Sequence, residues 1–430
     1  MNLKKGCVRF SISFRVVEGI AGMSWINVKL GDICDLFNGY AFKSSDYVDI
    51  SNTLSCRMSN IRPGGIFNIE YNARYLPDNF VEKYKQFLLR DGDVVIAMTD
   101  LADTPKILGV PTVIKTNGKN ILLNQRVGKL IIKDRNIVHF PYLQLALNFP
   151  KVRAVYKKFA GGGLQINLGK KDLLSIELPL PPLPEQKKIA EILDAADSLR
   201  QKDQQLVEHY DRLSQSLFLD MFGDVFNNTK GFSIALFSEL VEKVQIGPFG
   251  SQLHKCDYVE NGIPLINPVH IVNSKIIPNH AFSLRTEKYK SLPNYHLKAG
   301  DLIMGRRGEM GRCALVTEKE DGFFCGTGSL YLRLNNKVTP LFLMKTITSK
   351  SGKEYLERNA QGVTMMNLNK KIILNIEIGL PPIELQNKFE TSICAIEKQK
   401  ELAQQSLKKS EDLFNSLLQR AFKGELTNTQ

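Results

Sequence analysis

Apolar residues recur seven apart along residues 184–222. Ile192, Leu199, Leu206 and Leu213 make one row, and Ile189, Ala196, Tyr210 and Leu217 make a second, interrupted by Asp203. That spacing predicts a long helix with a coiled-coil seam. A second helix is predicted over 383–424, where Phe389, Ile393, Ile396, Ala403, Leu407, Phe414 and Leu417 keep a looser version of the pattern. At about 1.5 Å per residue each helix is roughly 55 Å long, too long to be buried within one small domain. The two seams are therefore expected to bury against each other.

The sequence ahead of each helix has a different period. Short β-branched runs bounded by Gly, Pro and Asn (VVIAM, PTVIK and KLIIK, then PLIN, LIMG, CALV and LYLRL) predict strands of a mixed sheet. One helix is predicted near the end of each set, over 141–159 and 340–359. The expected order is a domain over 23–183, the helix 184–222, a linker at 223–231, a domain over 232–382 and the helix 383–424. The fold class is mixed α+β, two domains with mixed sheets joined by two long antiparallel helices.

An internal repeat supports this division. Residues 166–186 align with 366–386 without a gap, sharing Asn167/Asn367, Leu168/Leu368, Lys170/Lys370, Lys171/Lys371, Ile176/Ile376 and Glu177/Glu377. Pro181, Pro182 and Gln186 are matched by Pro381, Pro382 and Gln386, and Leu213, Ser216, Leu217 and Phe222 still match in the helix that follows. Upstream the match thins to Gly92-Asp93 against Gly300-Asp301. Related by a pseudo-twofold axis, equivalent helices would run antiparallel with one domain at each end of a rod. Proline at a helix start costs no hydrogen bond and keeps the preceding residue extended, so PLPPLPEQ reads as a rigid strand-to-helix corner.

Composition narrows the function. The chain has 430 residues, 43% apolar and 23% charged, enough for two or three cores. No apolar run reaches bilayer length, so no membrane partner is expected. Seven scattered cysteines without a CxxC pair, and six histidines without HxxxH spacing, point to reduced thiols and no metal site. A net charge of +13 favours a polyanionic partner, nucleic acid first. Residues 1–22 have a basic start but an interrupted apolar run, and are expected to be a poorly packed extension rather than a signal peptide.

With LPLPPLPEQKKIAEIL, its second copy and LNQRVGKL in view, residues 25–426 resemble the specificity (S) subunit of type I restriction-modification enzymes. The resemblance implies two target-recognition domains alternating with two helical regions, each domain reading one half of a split double-stranded DNA target. It implies that the helices, with Ile192, Leu199, Leu206, Leu213, Leu217, Phe389, Ile396, Leu407, Phe414 and Leu417, set the separation and dock two methyltransferase (M) subunits, with restriction (R) subunits joining. AdoMet, ATP and Mg are then expected on the partner subunits, in the cytoplasm, with no cofactor on this chain. The second copy departs from the pattern, reading Glu384-Leu385-Gln386 where the first reads Pro184-Glu185-Gln186.

Base readout needs side chains that reach base edges, while phosphates supply the remaining binding. GRRGEMGR offers Arg306, Arg307 and Arg312 among glycines, guanidinium forks suited to guanine. The matching stretch of the first half, AMTDLADTPK, is acidic apart from Lys106. Asn124, Gln125 and Arg126 are matched by CGTGS with Thr327, and Arg57 and Asn60 by Asn267 and His270. Lys170, Lys171, Lys370 and Lys371 recur in both halves and suit phosphates or packing rather than base discrimination. IGPFGSQ reads as a loop able to approach the DNA backbone. Because the halves differ, the target is expected to be asymmetric.

No catalytic constellation is legible. GGGLQINLGKK lacks the spacing and the Ser or Thr of a P-loop, and no methyltransferase tetrad or nuclease cluster occurs. The competing readings are a fused, self-sufficient DNA methyltransferase, disfavoured by those missing motifs, and a DNA-binding coiled-coil scaffold outside restriction-modification.

Overall fold

The computed structural model describes residues 15–17, 25–101, 105–156, 158, 165–360 and 367–427. It divides into two compact units, one taking the chain up to Lys202 and again from Leu407, the other running Asp203–Ser406.

In the first unit an antiparallel sheet has the order Pro111–Val113, Val94–Ala97, Val127–Ile132, Cys34–Asn38. A second sheet is mixed: Thr53–Cys56 and Asn120–Leu123 run parallel, flanked by Tyr75–Leu76 and Leu88–Leu89. The continuous apolar run VVIAM follows from burial on both faces. Val94, Ile96 and Met98 enter the core beneath the helices, while Val95 and Ala97 enter the core shared with the second sheet. The second unit repeats this with Val241–Ile246, Ser329–Leu334, Leu302–Gly305 and Cys313–Leu315, and with a mixed sheet whose parallel pair is Ile263–Ile266 and Phe324–Cys325.

The repeated Gly-Asp has a structural role. Gly92 and Gly300 take positive φ, and the next carboxylate closes the turn by accepting the Arg90 or Lys298 N–H at 2.9 and 2.8 Å. It then pairs across the sheet, Asp93 with Lys129 and Asp301 with Arg333, each at 2.7 Å.

Two expectations need correction. The helices foreseen over 141–159 and 340–359 are each broken, into Phe140–Asn148 and Pro150–Tyr156, and into Pro340–Thr348 and Lys350–Asn359. Pro150 forces Phe149 into an extended conformation, and extended Ser349 caps the following helix by accepting the Gly352 N–H. The expected end of the first helix, Phe159, lies outside the described residues.

The second correction concerns the seam. Helices Leu183–Phe222 and Ile383–Phe422 pair antiparallel within each unit, Arg200 lying over Phe414 in the first, and Asp203 with Ser406 and Lys400 with Asp211 in the second. Buried or half-buried along the first long helix are Ile189, Leu193, Ala196, Asp203, Val207, Tyr210 and Ser214, with Gln186 turned to residues 137 and 139. Leu199, Leu206 and Leu213 are left 46, 41 and 40% exposed, and Ile192 is half-buried. The leucine-rich row thus flanks the seam, because small and polar residues (Ala196, Ser214, Ala403, Ser410) line the approach between the backbones. Leu217, Phe389, Ile396, Leu407, Phe414 and Leu417 are buried or half-buried on their helices.

Of residues 1–22, Arg15–Val17 pair antiparallel with residues 25–27, and the others lie outside the described residues. Among the described residues no helix is long and apolar enough to cross a membrane, and no His/Cys/Asp/Glu cluster could hold a metal.

Cys34, Cys56, Cys313 and Cys325 are buried, whereas Cys256 and Cys394 are exposed. Burial pushes the thiols of Cys34, Cys56 and Cys313 up to about 12. Of these six, a thiol reagent at mildly alkaline pH is expected to label only Cys256 and Cys394 in the folded protein, Cys256 faster because partial burial raises the Cys394 thiol. Peptide mass spectrometry checks this, and rapid labelling of Cys56 would contradict the core.

Candidate nucleic-acid interface

At one end of each antiparallel sheet, loops distant in sequence are stitched together by backbone hydrogen bonds. In the second unit Gly247 N–H donates to Ser329 O at 2.9 Å, Arg306 N–H to Gly328 O at 3.0 Å, and Leu368 N–H to Arg306 O at 2.9 Å. The side-chain oxygen of Asn267 accepts from Gly328 N–H at 3.2 Å. In the first unit Tyr40 N–H donates to Leu123 O, Gln125 N–H to Tyr40 O, and Met98 N–H to Arg126 O, each at 2.9 Å, and Leu168 N–H to Met98 O at 2.8 Å. The same frame therefore carries different side chains in the two units. Met98 occupies the place of Arg306, and Thr99 that of Arg307.

Several residues foreseen as DNA contacts are engaged in bonds within these loops. Arg306 is only 6% exposed, and its Nε donates to Asn367 Oδ1 at 3.0 Å. Burial first, and then the neighbouring Arg307 guanidinium, lower its proton affinity from the ordinary arginine value. Asn60 is buried: its amide donates to the carbonyls of Asn68, Ile69 and Tyr71, and its oxygen accepts the Arg57 N–H. Asn124, 5% exposed, accepts the Arg126 N–H at 3.2 Å. His270 Nδ1 lies 2.9 Å from Leu265 O and 3.2 Å from Asn267 N. Arg312 donates to Glu309 at 2.8 Å and to Pro268 O at 3.2 Å. Asn60, Asn124, His270 and Arg312 share a physical reason: loops crossing the end of a sheet leave peptide groups unpaired, and the nearest Asn, Arg or His satisfies them, whereas Arg306 meets a side-chain amide.

Others are more open to solvent at their side chains. Arg307, Gln125, Arg126 and Lys106 are exposed, and Thr327 and Arg57 half-exposed. Residues 102–104, beside Lys106, lie outside the described residues. Lys170, Lys171, Lys370 and Lys371 are exposed on the short helices Lys170–Leu174 and Lys370–Leu374, beside the stitched loops. The acidic character of 98–106 is partly structural, since buried Asp100 accepts the N–H groups of Leu101, Ile107 and Leu108.

The sequence reading missed why Asn167 and Asn367 recur. Each supplies an acceptor to the opposing loop, Asn167 Oδ1 from Thr99 Oγ1 at 2.9 Å and Asn367 Oδ1 from Arg306 Nε at 3.0 Å. Their identity across the repeat was the available signal.

Known proteins resemble this chain in sequence and in fold. The chain is similar to the type I restriction enzyme EcoBI specificity subunit of Escherichia coli, 24% identical over 94% of this chain and 86% of that one. It is 31% identical to the MjaVIII specificity subunit of Methanocaldococcus jannaschii over 45% of each chain. In fold it resembles the crystal structure of the type I restriction-modification S subunit from M. genitalium (TM-score 0.56, 16% identity, 94% and 98% of the two chains). A chain from a structure addressing complex assembly and conformational transition of the type I R-M system gives a TM-score of 0.53 at 17% identity, covering 96% and 100%. Residues 23–209 and 242–409 match the type I restriction modification DNA specificity domain, and the chain belongs to that family.

Proposed function

We propose that this specificity subunit directs a type I restriction-modification assembly to an asymmetric, two-part DNA sequence, each unit reading one part. The observation that carries this is one loop frame built twice and dressed differently, with Arg307 exposed and Thr327 half-exposed in one unit and Gln125 and Arg126 exposed in the other. Arginine forks suit guanine and glutamine amides suit adenine, so unlike side chains on like frames specify unlike half-sites. Lys170, Lys171, Lys370 and Lys371, alike in both units, suit the phosphates that every sequence shares.

Catalysis in this reading belongs to partners. Two M subunits with AdoMet methylate the DNA, and R subunits with ATP and Mg add cleavage. Leu199 in the first unit, and Leu206 and Leu213 in the second, are among the exposed apolar side chains that the helix pairing leaves for M-subunit docking.

DNA selection with the assembled complex is expected to return two dissimilar half-sites; a perfect inverted repeat would contradict the reading. Arg307→Ala is expected to weaken binding by about 1–3 kcal/mol and to relax one position of one half, with melting unchanged. Unchanged affinity and specificity would remove Arg307 from the interface.

A further inference from the structure

The second unit presents two large apolar side chains from the stitched loops. Phe249 is 67% exposed and Val269 69% exposed. Neither sits on a loose segment. Phe249 lies two residues beyond Gly247, whose α-carbon faces the Gly326 carbonyl so closely that no Cβ would fit. Its own N–H donates to Gln252 Oε1 at 3.1 Å, and the Tyr295 hydroxyl donates to the same oxygen at 3.0 Å. Val269 lies in the short turn Pro268–His270, whose Pro268 packs against Gly305 and Gly328 and whose carbonyl holds Arg312. Both side chains thus stand on the frame that carries Arg307.

The first unit has the same two positions and leaves them small. Gly39 faces the Asn124 carbonyl as Gly247 faces Gly326, and Ala41 follows it where Phe249 follows Gly247. The turn Met58–Asn60 matches Pro268–His270, with Ser59 in place of Val269. The scaffold therefore does not require apolar bulk there. Holding a phenyl ring and an isopropyl group in water on braced loops has no folding benefit, and neither can serve a phosphate. In the major groove the thymine methyl is the apolar feature among hydrogen-bonding edges.

Resting on the DNA-reading function above, we propose that Phe249 and Val269 form an apolar contact for thymine methyl groups in the half-site read by the second unit. The first unit, with Ala41 and Ser59, makes no such contact.

The test uses the assembled complex and its selected DNA, prepared with thymine or with deoxyuridine, which pairs alike but lacks the methyl. Wild type is expected to bind uracil DNA about fourfold more weakly for each methyl group buried. The loss should map to one half-site when uracil is placed in one half at a time. Phe249→Ala with Val269→Ser should bind thymine DNA more weakly and no longer distinguish the two, with unchanged melting. Equal wild-type binding to both DNAs, or full discrimination by the variant, would overturn the proposal. Loss of complex assembly in the variant without thymine dependence would assign the patch to a protein partner and also overturn it. If thymine DNA is not selectively retained at all, the DNA-reading function itself fails and takes the proposal with it.

Discussion

Replacing Gln186 by alanine is expected to destabilise the first unit by about 2 kcal/mol, since the Pro181 carbonyl is left buried and unpaired at a cost of roughly 1–3 kcal/mol, while the part-buried His139 N–H and Ile137 carbonyl can turn to water. Gln186 is fully buried at the start of the central helix. Its oxygen accepts the His139 N–H at 2.8 Å, and its amide donates to the Ile137 and Pro181 carbonyls, both at 2.8 Å. Those groups belong to the start of the Phe140–Asn148 helix and to the diproline, so one side chain ties two helix starts together. Gln386 does the same with Thr339 N–H at 2.8 Å and with the Pro381 and Lys337 carbonyls. Gln186→Glu should not rescue the loss, because it keeps an acceptor but removes both donors and buries a carboxylate. Urea titration measures the effect. A loss below about 1 kcal/mol would mean that water or backbone relaxation satisfies the three groups.

Phe222→Ala is expected to cost about 3–5 kcal/mol, the range for emptying a buried phenyl site. The ring is fully buried, and its centroid lies 4.9 Å from Phe342, 5.1 Å from Phe389 and 5.2 Å from Phe218. Phe222 ends a helix that begins in the first unit, yet the core it completes is that of the second. Phe422 makes the matching contribution to the first unit, 4.4 Å from Phe149 and 5.8 Å from Tyr142. Because Phe422 is only half-buried, Phe422→Ala should cost less. Denaturation followed by fluorescence of Trp25, which belongs to the first core, should shift with Phe422→Ala more than with Phe222→Ala. The opposite order would refute the assignment of each terminal phenylalanine to its core.

Strands and long helices were legible because their periods are local. The β-branched runs became strands within a residue or two, and both heptad stretches became helices. The facing row was not legible. Leucine content favoured the Ile192 row, but helix pairing is decided by how closely two backbones approach, and that placed Ala196, Asp203 and Ser214 inside. The broken helices were half legible: Pro150 announces the first break, while the second depends on Ser349 as a cap and Gly352 packed against the Thr346 carbonyl.

At the interface, the charged and amide-bearing loops were visible as composition, but their division of labour was not. Arg306 and Arg307 are adjacent and chemically identical in sequence. One is buried on Asn367 and the other faces solvent, a division made where the chain bends just past the strand Leu302–Gly305.

The sequence by itself determined that the chain is two copies of one scaffold, since repeated Asn, Lys-Lys, Ile-Glu, Pro-Pro and Gln positions mark repeated backbone tasks. It also determined a basic chain with unlike loops on like frames. Only the tertiary structure decided which polar residues are committed to unpaired peptide groups and which remain available. That choice depends on loops far apart in sequence meeting at the end of a sheet, where each buried N–H and C=O must find a partner.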